Sequence, residues 1–299
     1  MFRFARTSAL IQLTLDGSLV QDGHQVSLRV LSRALLSIQA ATDRAFLDIR
    51  YGGVSKHQRL HYSQYSEADF IVGDPKEGSY VIEFLSTRGQ DIIRRLREAI
   101  KDPYIQAAAG GDQQIYTISH QIAANKGALK NKILHPQSFD DFLKAPSALL
   151  TRTYGDKSIN KEIDQMLSPV RKDADAILKL VLKPSDNDVA ETFEFDQTTA
   201  LAFKKVIGTR QLGSPVVYQG HLRQLDRGHN QKTNFKGKFI NVKNDKDVVI
   251  FIQSEEDFSS LIPYLNGNEF KIIACPIIEY SSFDLVAGDI QFLEIFNNE

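Results

Sequence analysis

Apolar and polar positions change rhythm several times along the chain, and each change marks an element. Ile11, Leu13 and Leu15 alternate with Gln12 and Thr14, the period of a half-buried strand, and the run stops at Asp16-Gly17. From Gln25 to Phe46 the period lengthens. Val26, Val30, Leu31, Ala34, Leu35, Ile38, Ala41 and Ala45 recur at spacings of one, three and four, which predicts a helix with a single apolar face. Alternation returns in Ala68–Val72 and Tyr80–Leu85 on either side of Asp74-Pro75-Lys76-Glu77-Gly78, the residue types of a turn. These two runs predict a hairpin covering the helix, so residues 1–88 read as a small α+β domain.

Residues 89–183 read as helical. Ile92, Ile93, Leu96 and Ile100 form one stripe, and further helices are expected over 113–125, 139–150 and 161–182. In the last of these, Ile163, Leu167, Val170, Ala174, Ile177, Leu178 and Val181 keep near-heptad spacing, with Pro169 ending or restarting a helix. Residues 184–203 read as an acidic connector. Asp186, Asp188, Glu191, Glu194 and Asp196 fall there with no basic residue up to Phe203.

Residues 204–299 carry the most informative pattern. Strands are expected at 216–225, 235–242, 248–252, 269–278 and 289–296, with an amphipathic helix at 255–265 between the third and fourth. Ser254 suits its N-cap, and Glu255 and Glu256 suit the positive end of its dipole. This order, β-β-β-α-β-β, resembles the five-stranded antiparallel barrel that binds oligonucleotides and oligosaccharides, with a small SH3-like barrel as the structural alternative. The predicted fold class is thus α+β: a small N-terminal α+β domain, a helical middle and a C-terminal barrel.

Composition narrows the partners without naming one. The chain has 299 residues, 42% hydrophobic and 24% charged, with net charge -1, so it folds as one or two ordinary domains and no global field steers it. The single Cys275 excludes an internal disulfide and a cysteine-based zinc site. Arg3 and Arg6 ahead of an apolar run resemble a targeting peptide, but Gln12 and Thr14 interrupt that run and favour the strand. No stretch of about 18 apolar residues occurs, so no membrane partner is expected and the cytoplasm is the expected compartment.

Locally the charge is uneven. Residues 201–250 hold ten basic residues against three acidic ones, whereas 251–299 hold nine acidic against one basic. In the resembled barrel, the loop between strands one and two and the surface of strands two and three commonly hold nucleic acid. Here Arg223, Arg227 and Lys232 fall on or near that loop, and Lys236 and Lys238 alternate with Phe235 and Phe239 on the second strand. Cations for phosphates and aromatics for bases are what a single strand requires. The same alternation is compatible with Phe235 and Phe239 facing the barrel core. A second basic cluster, Arg88, Arg94, Arg95, Arg97 and Lys101, reads as a solvated helix face paired with Asp91 and Glu98 rather than as a binding site.

Motifs for chemistry are few. His57 and His61 are four apart, a metal-ligand spacing on a helix, but their surroundings read as a loop. No phosphate-binding loop, dinucleotide fingerprint or serine elbow is present, and no cofactor or metal is expected. Asp69 or Asp74 followed by Glu83 approaches a nuclease arrangement, but Leu85 stands where its lysine belongs.

As a whole the chain resembles uncharacterised bacterial proteins with an α+β head and a barrel tail, some found among mobile or defence gene clusters; the resemblance transfers no functional residue. The expected function is that of a non-catalytic accessory protein whose barrel binds nucleic acid, single-stranded by preference, while the rest engages a protein partner or another copy of the chain. The alternatives are a protein-protein scaffold subunit of a larger complex, and an enzyme with a dispersed site.

Overall fold

A computed structural model describes residues 9–21, 25–73, 80–110, 117–228 and 235–296. The chain forms two compact units. One gathers the described residues of 1–54, 58–112 and 154–208, and the other those of 55–57, 113–153 and 209–299.

The first unit is a five-stranded antiparallel sheet in the spatial order Ile71–Val72, Tyr80–Ser86, Ala9–Gly17, Ala176–Lys183, Glu191–Phe195. Strand periodicity decides its core. Ile11, Leu13, Ile82, Phe84, Leu178, Leu180, Phe193 and Phe195 all turn to one side and are buried. They meet the apolar faces of helices Leu28–Tyr51, Gln90–Ala108, Tyr154–Met166 and Gln197–Ile207 in one continuous core. Ser27 starts the first helix by accepting the Val30 amide, and Gly52 ends it at φ 65°, a left-handed conformation that costs glycine little.

Two segments depart from the sequence expectation. The helix expected over 161–182 stops at Met166, and Ala176–Lys183 is a strand paired with Ala9–Gly17 from Leu10 opposite Lys183 to Gly17 opposite Ala176. Its strict alternation, with Ala176, Leu178, Leu180 and Leu182 buried, outweighs the heptad-like spacing that runs into it from the helix. The expected connector also folds. Phe193 and Phe195 bring Glu191–Phe195 into the sheet edge, and Asp196 caps helix Gln197–Ile207 by accepting the Thr199 amide at 2.7 Å. Of its acids, Glu191 and Glu194 lie on an edge strand and Asp196 at a helix start, where carboxylates are tolerated or favoured, while Asp186 and Asp188 lie in the preceding turn. Smaller shifts of register occur in Ile118–Lys130 and Phe139–Lys144, the helices expected at 113–125 and 139–150. Tyr65–Ala68 is a helical turn, which leaves only Ile71–Val72 of the expected 68–72 strand.

The second unit contains the barrel. Its strands are Val216–Asp226, Phe235–Asn241, Lys246–Ile252, Phe270–Glu279 and Ile290–Ile295. Strand one pairs with two, two with three, three with five, five with four, and four back with one, which closes the sheet. Within this ring only the pairing of three with five is parallel. Helix Glu255–Leu261, capped by Ser254, follows strand three. This closed five-stranded order is that of the oligonucleotide/oligosaccharide-binding type. Closure needs close backbone approach at Gly220, where any Cβ would overlap the Ile240 carbonyl and the Phe239 ring. Outside the barrel wall, Ile122 and Leu129 of helix Ile118–Lys130 cover Ile273, Cys275, Ile277 and Leu293.

Candidate nucleic-acid interface

The second barrel strand sorts the predicted site residues by its two-residue period. Phe235 and Phe239 turn inward and are 3% and 0% exposed. Phe235 packs on Phe258 with centroids 5.2 Å apart, and Phe239 meets Phe270 edge-on at 5.9 Å. Both rings belong to the core, so the expectation of an aromatic platform at these positions is corrected: neither offers a face to a base. Each instead supplies the apolar area that a small closed barrel needs.

Lys236 and Lys238 turn outward and are exposed. Lys236 lies opposite Asp226 on strand one and Phe251 on strand three; Lys238 lies opposite Gln224 and Val249. Arg223 occupies a bulge, where the register slips between Leu222 and Gln224, and its guanidinium lies 3.6 Å from Asp247. Arg227 follows the end of strand one, with its guanidinium 4.7 Å from the centre of the Phe258 ring and 2.5 Å from Glu255. Lys236 reaches Asp226 at 3.5 Å, while no carboxylate among the described residues pairs with Lys238. Lys232 and the loop 229–234 lie outside the described residues.

The cationic half expected from the sequence is therefore divided in space. Lys204 and Lys205 sit on helix Gln197–Ile207 and belong to the first unit. Arg210 pairs with Glu279 and Arg227 with Glu255, both of the acidic stretch, and Lys243 pairs with Asp140 of helix Phe139–Lys144. What persists is a patch of Arg223, Arg227, Lys236 and Lys238 facing Asp226, Asp247 and Glu255. Exposed pairs of this kind contribute roughly 0–1 kcal/mol each, so these cations can exchange a carboxylate for a phosphate at little cost.

Of the second basic cluster, Arg95 and Arg97 are committed to the fold, while Arg94 pairs at the surface. Arg95 donates to Asp48 and to Asp156, each at 2.7 Å, Arg97 to Glu191 at 2.8 Å, and Arg94 to Asp91 at 2.9 Å.

Groups for chemistry are sparse. Burial pushes the Cys275 thiol up to about 12, with the Asn125 amide opposing in part, so it stays protonated and unreactive near neutrality. Burial also raises the Tyr218 hydroxyl. His61 caps a short turn and its Nδ1 lies 2.8 Å from Ser63 Oγ, and His57 is exposed. Among the described residues no three histidine, cysteine or acidic side chains gather to hold a metal, and no helix is long and apolar enough to cross a membrane. Comparisons with family models, with curated proteins and with solved structures find no match.

Proposed function

We propose that the barrel is a non-catalytic binding module for single-stranded nucleic acid, held by its phosphates rather than by stacked bases. The observation that carries this reading is the outward placement of Lys236 and Lys238 on the second strand of a barrel with this strand order, the face such folds commonly use. Arg223 and Arg227 precede the pair, and Lys232 lies between Arg227 and Lys236 in sequence. With Phe235 and Phe239 in the core, affinity rests on charge, so binding is weak, tolerant of sequence and sensitive to salt. Fluorescence anisotropy with a labelled single-stranded oligonucleotide tests it. Lys236→Glu/Lys238→Glu should weaken binding about a hundredfold, since two phosphate contacts become repulsions. Equal affinity of the two proteins would remove the assignment.

A second reading is a scaffold subunit that meets only protein. Its support is the carboxylate beside three of the four described cations, a charge-balanced surface suited to a protein rim. Co-purification of a stable protein partner without nucleic acid would favour it.

A further inference from the structure

Of the second basic cluster, Arg88 alone pairs with no carboxylate among the described residues. It lines a cavity of about 510 Å³ in the first unit. The cavity lies where two segments part. Ile71 pairs with Leu85 and Val72 with Phe84, but on the other side of this short ladder Asp69 and Thr87 are not paired with each other. The helical turn Tyr65–Ala68 ends at Asp69, and helix Gln90–Ala108 starts after Gly89. The Phe70 ring packs on Gly89 so closely that a Cβ there would overlap it, which holds one wall against the other.

Three kinds of group line this space. Arg88 brings a planar fork of donors, with the hydroxyls of Ser86 and Thr87 just before it in the chain. Ser86 is 9% exposed; its Oγ accepts the Arg88 amide at 3.2 Å, and its own proton has no acceptor among the described residues. A buried hydroxyl with an unused donor suits an acceptor brought by a ligand. Asp69 brings a carboxylate that pairs with no cation among the described residues, and Ser66 lies three residues before it. Ile71 and Leu85, partners in the ladder, add apolar surface.

Size and charge together select the ligand. The volume falls within the roughly 300–1,000 Å³ of small-molecule sites. Arg88 and Asp69 share the cavity without forming an ion pair, so each charge is open to an incoming group. A simple anion drawn to Arg88 would meet the Asp69 carboxylate, and a simple cation drawn to Asp69 would meet the guanidinium. A molecule that carries both charges a few bonds apart satisfies both residues, and an apolar part would cover Ile71 and Leu85.

We propose that this cavity binds a free α-amino acid with an apolar side chain. Its carboxylate lies on Arg88, Ser86 and Thr87, its ammonium on Asp69 and Ser66, and its side chain on Ile71 and Leu85. The fork of Arg88 suits a carboxylate, which it can hold by two parallel bonds. This assignment is independent of the barrel's ligand.

Isothermal titration of the full chain with L-leucine tests it, and saturable binding is expected. 4-Methylpentanoate, which is leucine without the ammonium, and 3-methylbutylamine, which is leucine without the carboxylate, should each bind at least tenfold more weakly. Arg88→Ala and Asp69→Asn should each weaken leucine binding about tenfold. Arg88→Ala should leave the affinity for 3-methylbutylamine unchanged, since that probe has no carboxylate to lose. Both side chains are exposed, so neither substitution should shift the urea midpoint. Absence of leucine binding to the wild type would overturn the proposal. So would equal affinity for leucine and either analogue, or an unchanged leucine affinity in either variant.

Discussion

Arg95 of the first unit and Arg227 of the barrel carry the same charge into opposite settings. Arg95 is 13% exposed and held by Asp48 and Asp156, which join helices Leu28–Tyr51, Gln90–Ala108 and Tyr154–Met166 at one point. Its guanidinium titrates above its ordinary value: burial opposes the charge, but bonding to Asp48 and the Asp156 carboxylate outweigh it. Arg227 is 49% exposed, with one carboxylate and one ring beside it. The difference separates charge that is committed to the fold from charge that is available to a partner. An arginine locked between a buried and a half-buried carboxylate cannot leave them without stranding a charge, whereas an exposed pair is exchanged cheaply.

Removing the committed cation gives the largest effect expected. Arg95→Ala removes the cation shared by Asp48 and Asp156 and should cost about 3–5 kcal/mol in urea unfolding. A loss below about 1 kcal/mol would place Arg95 among the exchangeable cations. Gly155→Ala sharpens the same point, since its Cβ would overlap the Asp48 carboxylate. It should lower stability by about 1–3 kcal/mol, read in the same denaturation.

For the aromatic half of the barrel, Phe239→Leu deletes buried ring volume and should cost about 1–3 kcal/mol in stability while leaving oligonucleotide affinity unchanged. A stacking residue would lose about 1–3 kcal/mol of binding instead.

At a helix start, Asp196→Ala should cost about 1 kcal/mol at neutral pH by removing the cap. The Thr199 amide and hydroxyl hold the Asp196 carboxyl below its ordinary range. That contribution is present above the unfolded value, near 3.9, and is lost as pH falls through the lower folded value. The variant should accordingly lose less stability than wild type on acidification below about pH 4, as measured by thermal unfolding across pH. Smallest of all, a double-mutant cycle on Arg227 and Glu255 should give under about 1 kcal/mol, confirming that this cation is available.

The barrel was legible because strands Val216–Asp226, Phe235–Asn241 and Lys246–Ile252 alternate, Phe270–Glu279 is a nearly continuous apolar run, and Ser254 marks the helix start. The first unit was half legible. Its opening strand and long helix announce themselves through Leu13 and Ala41, but Ala176–Lys183 does not. That strand lies only ten residues beyond a helix with compatible spacing, and its pairing with a strand more than 150 residues earlier is invisible locally. The candidate site fared likewise. The outward turn of Lys236 and Lys238 follows from alternation alone, while the neutralising neighbours Asp247 and Glu255 come from other elements and only the closed barrel brings them near.

The central claim is that the barrel's exposed lysines contact phosphates, and the salt dependence of oligonucleotide affinity tests it most directly. The logarithm of the affinity should fall linearly with the logarithm of salt concentration, by about 0.7 for each phosphate neutralised. Lys236→Glu/Lys238→Glu should flatten that slope by about 1.4, the share of two phosphates. Identical slopes for the two proteins would show that these lysines touch no phosphate and would contradict the account.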